Sequence, residues 1–282
     1  MLKVDRSSVP TPVNLENLTE EQKSHLIDYN KISHNVYGHN NVKSALKKLY
    51  GDKCYICECK VGDSYDVEHF LPKKHFLHLA YTWSNLHKAC TQCNLAKESN
   101  PFLVKDITDS KKVIDILLLD PSAISYNIYD YISSDINGKV ILKSIGTDPS
   151  IKEKAQVTAE YLNGELKKSK NTPFQHAINV FLERKDRILS FERTLVTFSP
   201  EVKENAIKIN STLTSYCAQQ NDSLKQLDIE TYNFLTNIEM LYLNKDAEYC
   251  SFIRNCTINS LSLTYESILA VIAKLRTIYS IS

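Results

Sequence analysis

Two Cys-x-x-Cys pairs enclose a Glu-His dipeptide, a combination suited to a catalytic site that a metal ion holds in place. The cysteines are Cys54, Cys57, Cys90 and Cys93, and the dipeptide is Glu68-His69. The spacing of each pair lets both of its thiolates bind the same tetrahedral Zn²⁺. Because four thiolates fill the coordination shell of zinc and leave no position for a substrate, we expect this zinc to be structural. Any reaction must then come from the polar residues that the pairs frame.

Those polar residues follow an ordered pattern. The segment 67–73 reads Val-Glu-His-Phe-Leu-Pro-Lys, Asn85-Leu stands ahead of the second pair, and Asn94 and Lys97 follow that pair. This pattern resembles the HNH nucleases over about 45 residues. A looser resemblance, to the PtuB-like HNH subunit of Septu-type and retron-associated bacterial antiphage systems, adds Leu-Asp-Pro at 119–121, a hairpin at Gly138 and a helical tail.

The resemblance implies a role for each residue of the pattern. His69 would be the general base, while Glu68 and Asn94 would hold a catalytic Mg²⁺ or Mn²⁺. Asn85 would brace the loop and orient His69, and Lys97 would neutralise phosphate. These residue types suit phosphodiester hydrolysis, because a neutral imidazole can activate water and oxygen ligands suit a hard cation. Many HNH nucleases have histidine at the third position and aspartate before the base, so Asn94 and Glu68 favour Mg²⁺ or Mn²⁺ over the later transition-metal ions.

Backbone geometry limits where these residues can lie. Adjacent residues of a strand point to opposite faces, so Glu68 and His69 can both face one phosphate only at a strand end or a bend. Good helix formers follow Cys93, which predicts that the second pair opens a helix with Asn94 and Lys97 on one face. A hairpin followed by a helix is the ββα-metal fold that the resemblance implies.

We predict a mainly α-helical protein that contains this small, zinc-stabilised ββα-metal HNH core, which makes it α+β, and that ends in a helical bundle. The predicted domains are an N-terminal helical lead-in at 1–50, the HNH core with its Cys₄ zinc site at 51–112, a connection with a β-hairpin at 113–148, and the helical C-terminal region at 149–282. The dipeptide Asn137-Gly138 is a strong hairpin signal. With the catalytic hairpin, this hairpin is expected to supply most of the strand content.

Composition bounds the class of protein. The chain is 43% hydrophobic and 24% charged, as in ordinary globular proteins, and no apolar run approaches the length of a membrane span. Eight cysteines, half of them in metal spacing, fit a reducing compartment, so we expect a cytoplasmic protein with no membrane partner. The net charge is only +1, and residues 43–112 hold twelve basic against eight acidic side chains. This weak basic excess motivates the hypothesis that a partner supplies much of the affinity for a nucleic acid.

The sequence thus predicts a metal-dependent endonuclease that cleaves DNA as the effector subunit of an antiphage complex with an ATPase. Two alternatives stay open. One is a non-catalytic zinc-finger adaptor that binds nucleic acid or protein, and the other is an HNH ribonuclease acting on an RNA such as tRNA. The identity of the zinc ligands also stays open, because Cys59 could replace Cys57 as a ligand. The C-terminal helices are expected to act as a scaffold and to dock the partner.

Overall fold

Four short helices lead to the first cysteine pair in the computed structural model, which describes residues 1, 3–168 and 172–281. They are α1 (Val13–Glu16), α2 (Glu20–Ile27), α3 (His34–Tyr37) and α4 (Asn40–Tyr50). Helix α2 begins with a capping box, in which the Thr19 hydroxyl accepts a hydrogen bond from the amide of Gln22 and the Gln22 side chain accepts one from the amide of Thr19. Helix α4 buries Val42 and Leu46 and packs on strand β2 of the next segment.

A hairpin and a helix follow, as the sequence predicts. Strands β1 (Asp66–His69) and β2 (Leu86–Ala89) pair antiparallel, with Glu68 opposite His87 and His69 opposite Leu86. Helix α5 (Thr91–Lys97) begins directly after Cys90, whose sulfur accepts a hydrogen bond from the amide of Cys93. The ββα unit is therefore present, and His69 is the last residue of its strand.

A second small sheet lies just after this unit, and it was not predicted. Strands β3 (Leu103–Lys105) and β4 (Val113–Ile116) pair antiparallel with a bulge at Val104/Lys105. The predicted hairpin around Gly138 is confirmed, with β5 (Ile132–Ser134) and β6 (Val140–Leu142) paired in a third two-stranded sheet. Gly138 has a φ of +77°, a conformation that suits glycine in a tight turn.

The rest of the described chain is helical. The helices are α6 (Pro149–Leu162), α7 (Gln175–Val196), α8 (Pro200–Ser211), α9 (Asp222–Ile238), α10 (Cys250–Leu261) and α11 (Tyr265–Tyr279), with a π-helical segment at Glu239–Leu243. The predicted fold class, mainly helical with a small ββα core and a helical C-terminal region, is confirmed. By its internal contacts the chain divides into two compact units, one of residues 1–133 with 140–181 and one of residues 134–139 with 182–282.

Within the first unit, α6 is fastened to its neighbours by polar side chains. The Asn163 amide group binds both the N–H and the C=O of Val140, at 2.7 and 2.9 Å. The buried Thr158 hydroxyl accepts a hydrogen bond from the amide of Leu119, and the Tyr161 hydroxyl lies 3.4 Å from the sulfur of Cys93. Helix α6 therefore lies against the cysteine pairs.

Within the second unit, α8, α9 and α11 pack on one another around a buried carboxylate. Asp228 of α9 accepts hydrogen bonds from the side chains of Asn205, Tyr216 and Tyr279, at 2.9, 2.6 and 2.6 Å. Among the described residues, no single helix is long and apolar enough to cross a membrane, and α10 with α11 meets that test only as a pair bent by 75°.

We expect Asp228→Ala to lower the free energy of unfolding by about 3 kcal/mol, because it removes three hydrogen bonds to a buried charge and leaves their donors unpaired. Urea denaturation followed by circular dichroism measures the change. Glu230→Ala removes an exposed carboxylate from the same helix and is expected to shift stability by less than about 0.5 kcal/mol. Equal denaturation midpoints for the two variants would contradict this role for Asp228.

Candidate functional site

The four cysteines of the two pairs come together as predicted. Their sulfur atoms all lie within 4.8 Å of one another, and all four side chains are buried. The first pair lies on a tight turn, where the amide of Cys54 bonds the carbonyl of Cys59 and the amide of Glu58 bonds the carbonyl of Cys54. The second pair spans the start of α5. Four converging, buried sulfurs are the ligand set of a structural Zn²⁺, so these residues fit that ion.

The carboxylate of Glu68 faces α5 but is fully engaged there. It forms a buried ion pair with the ammonium group of Lys97, and its second oxygen accepts a hydrogen bond from the Tyr55 hydroxyl at 2.9 Å. Burial raises the pKa of Glu68 above its ordinary value, while Lys97 and Tyr55 oppose that rise. A divalent cation that used this carboxylate would have to take the place of Lys97.

The role predicted for Lys97, to neutralise phosphate, does not fit the place where the structure puts its side chain. Lys97 is only 1% exposed, and its ammonium group donates to the backbone carbonyls of His69 and Phe70 as well as to Glu68. A lysine in this position is not available to a phosphate at the surface. The sequence placed it correctly on one face of α5 with Asn94, but nothing local to the sequence shows that this face is covered by the end of β1.

Asn94 contacts the carboxylate of Asp66, whereas the sequence predicted that it shares a metal ion with Glu68. Its side-chain amide donates to Asp66 at 3.0 Å. Asp66 and Glu68 are two residues apart on β1 and so share the face that α5 covers. Asp66 was not predicted as a site residue, although its spacing of two residues from Glu68 was a signal for it. The structure thus groups two carboxylates, one amide and one ammonium between β1 and α5.

The His69 side chain lies in a separate environment. Its Nε2 donates to the carbonyl of Ala80 at 2.9 Å, because a carbonyl can only accept, and the imidazole therefore keeps its lone pair on Nδ1. The ring packs edge-on against Tyr37 at 4.7 Å between centroids and is 5% exposed. Burial lowers the pKa of His69 to about 4, with the nearby charges of Lys73 and Lys97 adding to the effect and the Ala80 hydrogen bond opposing it. The imidazole is therefore neutral at physiological pH, which is the form that a general base requires.

Asn85 fastens the loop that follows His69. Its side-chain oxygen accepts a hydrogen bond from the amide of Leu71 at 2.7 Å, and its amide group donates to the carbonyls of Leu71 and Leu79 at 3.1 and 3.2 Å. Its own carbonyl accepts from the amide of Phe70. These are the contacts that a brace of this loop would make, and the orienting of His69 stays a prediction.

The site therefore consists of three connected parts. The thiolate cluster joins the turn at 54–57 to the start of α5, the polar group lies between β1 and α5, and the imidazole of His69 lies at the end of β1 above the loop that Asn85 holds. The strand alternation separates Glu68 from His69, so the two side chains make no shared contact among those described.

Residues 54–100, which contain this hairpin, helix and thiolate cluster, match the family model described as HNH endonuclease. This segment is therefore similar to the HNH endonucleases, and the predicted resemblance is confirmed.

The chain is also similar to curated proteins of the Septu type. It is 29% identical over 150 residues to the Septu protein PtuB of Bacillus mycoides (strain KBAB4), which covers 43% of this chain and 51% of that protein. It is 31% identical over 104 residues to the Septu protein PtuB of Bacillus thuringiensis, covering 36% and 37%. A third relative is protein ea31 of Escherichia phage lambda, 31% identical over 97 residues that make up 34% of this chain and 29% of that protein.

These alignments span about half or less of each curated relative, so they concern part of those proteins. They confirm the looser resemblance to Septu-type proteins. No solved structure matches the chain.

We expect Asn85→Ala to loosen the loop after His69, because the variant leaves the amide of Leu71 and two carbonyls without their partner. The expected loss of stability is about 2 kcal/mol, and the Leu71 amide should exchange its hydrogen at least about tenfold faster than in the wild type. Amide exchange measured by NMR checks this. Asn100→Ala, at an exposed position after α5, should leave that exchange unchanged. Unaltered protection of Leu71 in Asn85→Ala would show that the side chain does not brace the loop.

Proposed function

We propose that this protein is a metal-dependent HNH endonuclease that hydrolyses phosphodiester bonds of DNA. The observation that carries the proposal is the match of residues 54–100 to the HNH endonuclease family model, at a site where a neutral histidine lies at the end of a hairpin beside a buried cluster of four cysteines. In this proposal His69 is the general base and acts through Nδ1, since Nε2 is held by Ala80.

The polar group between β1 and α5 supplies the ligands for a catalytic cation. Carboxylate and amide oxygens from Asp66, Glu68 and Asn94 have the chemistry that Mg²⁺ and Mn²⁺ prefer, so the residues fit such an ion. When bound, the cation supplies charge stabilisation for the phosphate and for the departing oxygen. Zn²⁺ in the thiolate cluster keeps the hairpin and α5 together and takes no part in the reaction.

A basic cleft next to the site supports nucleic acid as the substrate. It is lined by Lys74, His75 and Lys105, and it lies between Pro72, just after the histidine, and Glu98, just after Lys97. Positive side chains in such a position suit a phosphate backbone. They replace Lys97 as the candidate phosphate contacts.

The biological role proposed here is that of the effector of a bacterial antiphage system in the cytoplasm. The support is the similarity to two PtuB proteins of the Septu type. The weak net charge of +1 supports a partner that helps to hold the substrate, and by the resemblance this partner would be an ATPase. The C-terminal helices are the proposed docking region for it.

One observation favours the second candidate, a non-catalytic adaptor. Glu68 is closed off by Lys97, and His69 is 5% exposed, so both central residues of the motif are largely removed from solvent. A zinc-binding adaptor would keep the same fold without needing either residue to be reached by a phosphate.

The test is cleavage by the full chain, alone and with the proposed ATPase partner, in Mg²⁺ or Mn²⁺. We expect His69→Ala to lower the cleavage rate by about 10²- to 10⁴-fold, because it removes the general base, with the zinc content unchanged. His78→Ala changes an exposed histidine of the same segment and should cleave like the wild type. Zinc content is measured by mass spectrometry on the same samples.

Running a supercoiled plasmid and a tRNA in parallel separates the alternatives. Cleavage of the plasmid that depends on His69 supports the proposal, while cleavage of the tRNA alone supports the ribonuclease. If neither substrate is cut with or without the ATPase, the protein is the adaptor.

The proposed cation ligands make a further prediction. Asn94→Ala is expected to raise the Mg²⁺ or Mn²⁺ concentration needed for half-maximal cleavage by about tenfold or more, because it removes an oxygen ligand and releases the carboxylate of Asp66. A titration of activity against cation concentration measures it, with Asn41→Ala, which removes an exposed amide side chain from α4, as the matched control. An unchanged cation requirement in Asn94→Ala would remove Asn94 from the ligand set.

A further inference from the structure

A second group of metal-ligating side chains shares two sulfurs with the thiolate cluster. It consists of Cys57, Cys59, Cys90 and His176, whose ligand atoms all lie within 4.8 Å of one another. We propose that the cluster binds two zinc ions, bridged by the thiolates of Cys57 and Cys90. Cys54 and Cys93 complete the first ion's ligands, and Cys59 and His176 complete those of the second. The proposal rests on the structural zinc of the proposed function, and the experiment below counts the two ions separately.

The distances fit this sharing. For ligands at about 2.3 Å for sulfur and about 2.0 Å for nitrogen, the edges of a zinc tetrahedron are about 3.8 Å between sulfurs and about 3.5 Å between sulfur and nitrogen. The bridging sulfurs of Cys57 and Cys90 are 4.0 Å apart, and Nε2 of His176 is 3.4 Å from the sulfur of Cys90. The sulfur of Cys59 lies 3.1 Å from that of Cys57, which is shorter than this edge between sulfurs. A small rotation of the half-buried Cys59 side chain would complete the second tetrahedron.

The backbone aims Cys59 at the cluster. Glu58 lies between the two cysteines with a φ of +63°, in the left-handed region that residues other than glycine seldom adopt. The turn is closed by the hydrogen bond from the amide of Cys54 to the carbonyl of Cys59. The left-handed conformation of Glu58 turns the chain so that Cys59 lies beside Cys57.

His176 is held in place by its own neighbours. It lies in the first turn of α7, two residues after Phe174, which is buried against Tyr161 and Phe102 at 5.5 and 5.8 Å between ring centroids. This packing fixes the start of α7 beside the cluster within the first unit. The imidazole is therefore presented to Cys90 by the fold and does not reach it from a free loop.

Charge also favours the second ion. One Zn²⁺ bound by four thiolates leaves an excess of two negative charges in a largely buried place, whereas two Zn²⁺ bound by five thiolates leave an excess of one. The second ion thus lowers the buried negative charge while it uses Cys59 as a ligand. It also ties the first turn of α7 directly to the turn at 54–59 and to α5.

The test counts the zinc bound to the purified full chain after dialysis against a weak chelator. Inductively coupled plasma mass spectrometry should find two zinc ions per chain in the wild type and one in each of Cys59→Ser and His176→Ala. Cys217→Ser changes an exposed cysteine outside the cluster and should keep two. Circular dichroism establishes that each variant is folded.

A second measurement keeps the proposal falsifiable if a variant does not fold. Loading the wild type with ¹¹³Cd should give two NMR signals that are coupled through the shared thiolates, and zinc X-ray absorption should show one imidazole for each two ions. One zinc in the wild type overturns the second site but leaves the structural zinc, whereas no zinc overturns both. A second ion that is lost in Cys217→Ser and kept in His176→Ala would be adventitious and would equally overturn the proposal.

Discussion

The convergence of the cysteine sulfurs is the constraint on which the rest of the site depends. The ββα unit has few contacts of its own, with strands of four residues and a helix of seven. Two segments more than thirty residues apart in sequence meet at the cluster, and ionised thiolates in such a buried place repel one another unless a cation neutralises them. The free energy of binding that cation is therefore part of the free energy of folding this segment. The position of Asn94 in α5, directly after Cys93, depends on this cluster.

Two kinds of cation, the ammonium group of Lys97 and a divalent metal ion, suit the polar group between β1 and α5. Lys97 already neutralises Glu68 and also binds two backbone carbonyls, which is the oxygen-rich surrounding that a divalent ion would choose. An ammonium group cannot leave such a place without a new anionic partner, because an unpaired charge of either sign is costly in the interior. This arrangement neutralises Glu68 without a divalent ion, and a divalent ion that bound Glu68 would have to displace Lys97.

Features determined by local sequence could be predicted, and those set by tertiary contacts could not. The helix start after Cys90 and the turn at Gly138 depend on a few neighbouring residues, so their patterns sufficed. Strands β3 and β4 are short, and a charged loop separates them, so no alternation marked them.

The same distinction holds in the site. Residue spacing was enough to predict that the four paired cysteines come together and that Asn94 and Lys97 share one face of α5. It did not show what covers that face of the helix. The partnership of Asn94 with Asp66 and the burial of Lys97 both depend on how α5 meets β1. Cys59 could be suspected from its position, whereas His176 lies 86 residues beyond Cys90, and only the fold brings it there.

The alternation of side chains along β1 limits where a substrate of the proposed nuclease could lie. Asp66 and Glu68 face α5, while His69 points to the other side, so no position along the middle of β1 lies near both the acidic group and the imidazole. The strand ends at His69, and there the chain is held on both sides, by Lys97 at the carbonyls of His69 and Phe70 and by Asn85 at Leu71. Under the proposed function, a scissile phosphate would reach both faces only at this end of the strand. The hydrogen bonds of Asn85 and the thiolate cluster fix that end, which would let two side chains on opposite faces act on one bond.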